Sequence, residues 1–397
     1  MPEGYTHVRT ARLAAAAIRC KIRYPAAFAA GANGPDSFFC FEVWKKRAKR
    51  RYDLIGLGNR MHEEKTGEFL YSMCKRVRTR PQMEYVLGFL CHYAADTVVH
   101  PFVYAMCEEG KPYAKPGGHG FLEIGLDSAL HQQDTGSGAV NVEDVSPLPV
   151  GEELSDIITL LRESLREVYG AEISPEYIAD AFYHIYKLRG LFATESPLVR
   201  GFFKAVEPLF GQKGMIMVHV SPCELSEDLP DRWKDPFTGT VYDGGVRGLL
   251  PRAQQRCEQY MSAALLFWGD RLSADEFRQH IGSMSYTAGI ATPASDPENT
   301  TPTLRAASSL SCIRTPRIWT AAMPRSAMLC PAWRSWMRSP PSPPTGTTSP
   351  APPLSWKKWR SSDWTQRKEG VRRGVAAPRS CTPPLDSPCR KKSRSHA

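Results

Sequence analysis

The run GFLCHYAADTVVHPF sets His92, Asp96 and His100 at i, i+4 and i+8 inside an otherwise apolar stretch. On an α-helix such residues share one face, each a turn above the last. Their neighbours Leu87, Phe89, Leu90, Cys91, Val98 and Val99 mark that helix as buried. A polar group on a buried helix is costly unless it is hydrogen-bonded, paired or ligated. Other segments must therefore bring partners to this stripe. HGFLE offers His119 and Glu123 at the same i, i+4 step after the Gly117-Gly118 break, and His7, Asp36 and His62 lie upstream. Five of the ten histidines fall at these positions, which concentrates the chain's imidazoles in one third of its length.

The rest of the sequence reads as helical. Periodicity predicts helices over 5–20 (with Thr6 as N-cap), 62–79, 82–100 (stopping at His100-Pro101), 119–132, 151–169, 174–189, 196–209, 246–269 and 273–282. Residues 22–37 read as turns, 135–150 as a polar loop and 221–245 as irregular. Strand signals are few, so the expected class is all-α, a multi-helix bundle. Two regions are expected: an all-helical domain over 1–295, and a tail over 296–397.

The tail distorts the gross composition. Residues 301–397 hold 18 of the 51 basic residues but 3 of the 41 acidic ones, so residues 1–300 carry a net negative charge despite the overall +10. A basic isoelectric point is thus no argument for nucleic acid. The tail also holds 15 of the 33 prolines and 6 of the 9 tryptophans, in stretches such as SPPSPPTGTTSPAPP that cannot form helix or sheet interiors. It reads either as a disordered basic arm or as frame-shifted sequence not selected for structure. Of eleven cysteines, Cys20, Cys40, Cys74, Cys91, Cys107, Cys223 and Cys257 lie before it, scattered and without a C-x-x-C pair. With no convincing signal peptide and no membrane-spanning apolar run, the expectation is reduced thiols and a cytoplasmic protein.

Imidazole nitrogen and carboxylate oxygen suit zinc. Set against this is a network of buried hydrogen bonds with no metal. Other metal and hydrolase templates fit less well. His62-Glu63-Glu64-Lys65 is followed by Thr66, so no H-E-x-x-H exists. Di-iron bundles use i, i+3 Glu-x-x-His. The chain has no His-Asp dipeptide, no Gly-rich phosphate loop and no G-x-S-x-G.

The order THV, GPD, MHEE, HYAAD with HP, and HGFLE resembles the bacterial zinc-dependent phospholipase C family, which shares its all-helical fold with single-strand-specific zinc nucleases. The resemblance spans roughly 5–290, including DRWKDPFTGT and SYTAG. It implies that His62, His92, Asp36 and Asp96 hold one zinc ion and that His100, His119 and Glu123 hold a second. It also implies a third site at His7 and Asp96, with Asp96 bridging. Secreted members complete that third site with a terminal tryptophan, which this chain lacks. The amine of Pro2, after loss of Met1, lies at the separation used by the nuclease branch. The step from Asp96 to His100 is shorter than in the secreted lipases.

Clustered divalent ions neutralise phosphodiester oxygens and acidify water for in-line attack. Asp36, in a Gly-Pro turn, is the expected ligand and general base. Glu63, Glu64 and Asp127 are candidates for orienting ligands, with solvated helix charges the plain alternative for Glu63 and Glu64. His131, His184, His219 and His280 fall outside the pattern and read as structural or surface groups. Phe38, Phe39, Phe41 and Trp44 read as core before an apolar lip. The expected partners are a phospholipid or small phosphoester and a membrane surface, with nucleic acid disfavoured by the acidic body. A nuclease or phosphatase on the same metals, and a non-catalytic metal-binding protein, stay open.

Overall fold

The computed structural model describes residues 4–210, 216–226 and 228–292. Its described part is all-α apart from one short hairpin. The helices are α1 (Gly4–Ala17), α2 (Pro25–Ala32), α3 (Leu54–Glu63), α4 (Thr66–Arg76), α5 (Arg80–Met106) and α6 (Gly118–Thr135). They continue as α7 (Val142–Val145), α8 (Gly151–Tyr169), α9 (Pro175–Phe192), α10 (Pro197–Val206), α11 (Gly245–Trp268) and α12 (Ala274–Ile281). The hairpin pairs β1 (Arg232–Lys234) with β2 (Val241–Asp243), antiparallel. The two expectations for the tail, 296–397, and for the Pro2 amine fall outside the described residues.

The bundle is organised around α5. Thr79 and Gln82 form a capping box at its start, and Pro81 sits in its first turn, where a missing N–H costs nothing. Almost every residue from Pro81 to Met106 is buried, against α1, α2, α4, α6, α8 and α11. Among the described residues α5 is the helix long and apolar enough to cross a membrane, yet it lies inside the protein. The closest approach is to α2, where small residues let two backbones meet. A Cβ on Gly88 would lie 2.2 Å from the carbonyl oxygen of Phe28, and one on Gly31 would lie 1.9 Å from that of Tyr85. Glu84, fully buried, accepts from the backbone N–H groups of Arg23 and Tyr24 and from Arg80, which satisfies it and fixes the entry to α2.

Four expectations are corrected. Helix α5 does not stop at His100-Pro101. It runs through Pro101 to Met106, because Phe102, Val103 and Met106 continue its buried face and repay the lost hydrogen bond. The single helix expected over 62–79 is two, broken at Lys65, whose φ is 51°. The stretch read as turns, 22–37, contains α2, whose alanines carry no polar–apolar period to read. Thr6 lies within α1 rather than capping it. Short elements also occur inside the stretches read as loop, α7 and the β1–β2 hairpin.

Away from α5, Arg51 pairs with both Glu42 and Asp180 around the buried His184. The Nδ1 of His184 accepts the backbone N–H of Glu42 at 3.3 Å, which requires a neutral ring. Burial pushes this imidazole down to about 4, against the opposing pull of Asp180 and Glu42.

Two outcomes follow from this packing. Gly88→Ala forces a methyl into the Phe28 carbonyl and is expected to cost about 1–3 kcal/mol in chemical denaturation; an unchanged midpoint would remove the close α2–α5 contact. Because the folded state keeps His184 neutral while the unfolded chain protonates near pH 6.5, stability is retained above that pH. It falls as pH drops towards about 4. His184→Gln should flatten that part of the profile at equal metal loading, and an identical slope in both proteins would contradict the assignment.

Candidate metal centre

Five segments meet at the middle of α5. His7 comes from the first turn of α1. The N-terminus of α1 is held by Asp127 on α6, whose carboxylate accepts the Tyr5 N–H at 2.7 Å, the Thr6 N–H at 2.9 Å and the Thr6 hydroxyl at 2.6 Å. A carboxylate there satisfies orphan donors and complements the helix dipole. Asp127 thus positions His7 through the backbone of α1.

Asp36 sits in the 3-10 turn Gly34–Cys40. Gly34 has a φ of 53°, and a Cβ there would lie 2.3 Å from the His92 ring, so only glycine lets this turn pass over the imidazole. His62 ends α3, His92, Asp96 and His100 stand on α5, and His119 and Glu123 open α6.

Three rings are oriented by backbone carbonyls. Nδ1 of His62 bonds the Gly58 carbonyl at 2.8 Å, Nδ1 of His92 that of Ala32 at 3.1 Å, and Nδ1 of His100 that of Tyr286 at 2.9 Å. A carbonyl can only accept, so each Nδ1 carries the proton and each Nε2 presents a lone pair, the tautomer metal ligation needs.

These Nε2 atoms face carboxylates. His62 lies 3.3 Å and His92 3.8 Å from Asp36 Oδ1, and His92 lies 3.1 Å from Asp96 Oδ2. His7 Nε2 lies 3.3 Å from Asp96 Oδ1. Further along, Glu123 Oε1 is 3.5 Å from His100 Nε2 and 2.8 Å from His119 Nε2. All eight candidate ligands therefore form one chain of neighbours, with Asp96 at its centre.

Three subsets each bring one donor atom per residue within 4.8 Å of the others: His7, Asp36 and His92; His62, His92 and Asp96; His100, His119 and Glu123. Donors around a tetrahedral zinc with ~2.0–2.1 Å bonds are separated by roughly 3.3 Å, so the spacing fits. Several buried atoms have no hydrogen-bond partner: His7 Nδ1, His92 Nε2 and His119 Nδ1. Stranded acceptors of this kind, in a pocket of imidazoles and carboxylates, fit a cation better than a closed hydrogen-bond network.

The electrostatics of His7 and the carboxylates agree with that donor set, while Asp36 beside it draws the His62 imidazole up against its burial. Burial pushes the His7 imidazole down to about 4, helped by the stacked His92 ring at 4.1 Å. Burial would raise the Asp36 carboxyl, but His92 and His62 outweigh it and hold it at about 2. Glu123 is held well below the ordinary carboxylate range against the same burial, with His119 and His100 beside it. The two central aspartates differ in access: the Asp96 side chain is 1% exposed and that of Asp36 25%.

Part of the surroundings gave no separate signal in the sequence. Residues 283–292 fold back over the cleft. The Tyr286 N–H bonds the His62 carbonyl at 2.9 Å, and the Met284 N–H bonds the Tyr93 hydroxyl at 3.0 Å. Glu63 accepts from the hydroxyls of Ser285 and Thr287, so it anchors this clasp and orients no imidazole. Glu64 is an exposed partner of Arg60 at 3.0 Å. Tyr104 stands beside His119, with ring centres 5.2 Å apart, and carries Phe237 on its other side.

Among the aromatics, Phe38 and Phe41 are core, Trp44 is half-buried, and Phe39 stacks on His62 at 5.2 Å. His131 is tied to Ser137 and Asp144, His184 is buried away from the cleft, His219 stacks on Phe192 and His280 is exposed. The backbone carbonyls that orient the rings, and Tyr104, carried no motif; only the SYTAG match hinted at the clasp.

Asp127→Ala removes three hydrogen bonds at the start of α1. It is expected to lower stability by about 1–3 kcal/mol and to loosen the His7 region, read as a lower metal content per chain after dialysis. Full metal retention with full stability would show that α1 needs no such anchor.

Residues 6–167 match the family described as zinc dependent phospholipase C, a stretch that contains all eight candidate ligands and ends before the clasp. No curated protein and no solved structure matches the chain. The helical fold and the His/Asp/Glu clusters are in keeping with that match, so residues 6–167 are similar to the zinc-dependent phospholipase C family, a family of phosphoric diester hydrolases.

Proposed function

We propose that this protein hydrolyses a phosphodiester of the phospholipid class, with the eight clustered side chains holding the metal and Asp36 receiving a proton. The supporting observation is the convergence of imidazole Nε2 atoms on carboxylates, with three Nδ1 positions locked by carbonyls. His62, His92, Asp36 and Asp96 would hold one zinc ion, His100, His119 and Glu123 a second, and His7 with Asp96 a third. Zinc, when bound, supplies Lewis acidity towards a phosphoryl oxygen and brings the pKa of water from about 16 towards about 7.

The chain's own groups divide the remaining work by exposure. Asp96 is sealed by three imidazoles, so it can share its two oxygens but has no free edge for substrate. Asp36 keeps part of its carboxylate open to the cleft beside the His62 and His92 rings, where it can take the proton of an attacking water. Phe39 and Tyr104 stand at opposite ends of the ligand chain and offer apolar faces to the non-reacting part of a lipid. The seven cysteines of the described residues are all free thiols, which supports a reducing compartment.

Asp36→Asn should lower kcat on a soluble phosphodiester by about 10²–10⁴-fold while part of the zinc is retained. Asp96→Asn should lose both metal and turnover, measured by metal analysis and the same assay. Phosphatidylcholine and single-stranded DNA as parallel substrates separate the lipase from the nuclease reading. A zinc-loaded wild type inert towards all three would leave a metal-binding protein without this activity.

A further inference from the structure

The proposed lipid substrate has to be reached in a membrane, and one face of the protein outside the cleft has the chemistry to lie on one. Helix α10, PLVRGFFKAV, packs inward through Phe203 but turns Leu198, Val199 and Phe202 to solvent, at 86%, 38% and 61% exposure. A soluble helix usually places such residues inside; an apolar stripe at i, i+4 left outside marks an interaction surface.

A second surface feature is the basic loop KKRAKRR over residues 45–51. Lys45 and Arg51 are neutralised by Glu42, and Arg47 by Asp53. Among the described residues Lys46 and Lys49 have no carboxylate at ion-pair distance, whereas the Nε and Nη2 of Arg50 are buried beneath the loop. The segment that leads into the loop is joined to the helix through Phe192. This residue packs both against the cluster of Val43 and Leu188 beside Trp44 and against the cluster of Phe203 and Val220 beneath α10.

Both halves of the patch are tied to the cleft. The loop follows the turn that carries Asp36. The segment after α10 places Val218 against Gly120, the neighbour of His119; a Cβ on that glycine would lie 2.9 Å from Val218.

We propose that α10 and the loop 45–51 together form a docking face for an anionic phospholipid surface, with Leu198, Val199 and Phe202 entering the headgroup boundary and Lys46 and Lys49 meeting lipid phosphates. The pairing of an apolar helix face with flanking cations is what such an interface requires. Nucleic acid would use the cations but gains nothing from exposed leucine and valine. A second copy of the chain in a two-fold contact would bring the same unpaired cations towards themselves.

This inference rests on the phospholipid reading for its purpose, but binding is measured without turnover, so the two can fail separately. The full zinc-loaded chain is sedimented with vesicles of phosphatidylcholine containing phosphatidylglycerol, and hydrolysis of a soluble phosphodiester is followed in parallel. L198S/F202S and K46E/K49E should each weaken vesicle partitioning by at least about tenfold and leave thermal melting and soluble-substrate turnover unchanged. Binding that survives both double variants, as residues 301–397 alone could produce, would overturn the docking face. So would a wild type that ignores anionic vesicles, or a concentration-dependent dimer that L198S/F202S dissolves. A wild type that binds vesicles through these residues yet hydrolyses no phosphodiester would sink the enzymatic reading and leave the surface standing.

Discussion

A carboxylate buried to 1% exposure in the centre of an apolar helix is the constraint around which this protein is arranged. Asp96 cannot stay ionised there without opposite charge or strong donors around it. Three imidazoles crowd it, two from α5 itself and His7 from α1, and a cation held among their nitrogens would supply that charge. Each of those rings then has to be aimed. His92 is aimed by the end of α2 and His100 by the clasp at Tyr286, so the positions of both segments become part of the electrostatics of one aspartate. The close α2–α5 crossing at Gly31 and Gly88 serves the same end, because it brings the Ala32 carbonyl within reach of His92.

The site was legible where side-chain chemistry follows a helical period. His92, Asp96 and His100 on α5, and His119 and Glu123 on α6, are neighbours on one face in the sequence and neighbours in space. The same rule placed the long amphipathic helices well: 151–169 coincides with α8, and 246–269 differs from α11 by one residue at each end. Where periodicity is silent the reading failed. PAAFAAGA has no polar residue to define a face, so nothing in its pattern separates α2 from the turns around it. Pro101 ordinarily marks an end, but the buried residues after it held the helix on course. The carbonyls of Gly58, Ala32 and Tyr286 are backbone atoms, and no residue type announces them.

Charge offers a second lesson about averages. The whole chain is basic, yet the described bundle draws on a body with more acidic than basic residues. Much of that acidity is committed internally: Glu84 to the start of α2, Asp127 to the start of α1, and Asp36, Asp96 and Glu123 to the imidazoles. The uncommitted cations of the 45–51 loop therefore stand out locally against a background that a net charge would misdescribe.

The clasp at 283–292 joins residues separated by nearly the whole described length of the chain: it fixes His100, bonds the backbone of His62 and engages Glu63. During synthesis every side-chain ligand emerges well before this segment does. An incomplete chain would thus hold its histidines without the strap that aims one of them, so the geometry of the cleft is complete only once the last described segment has docked.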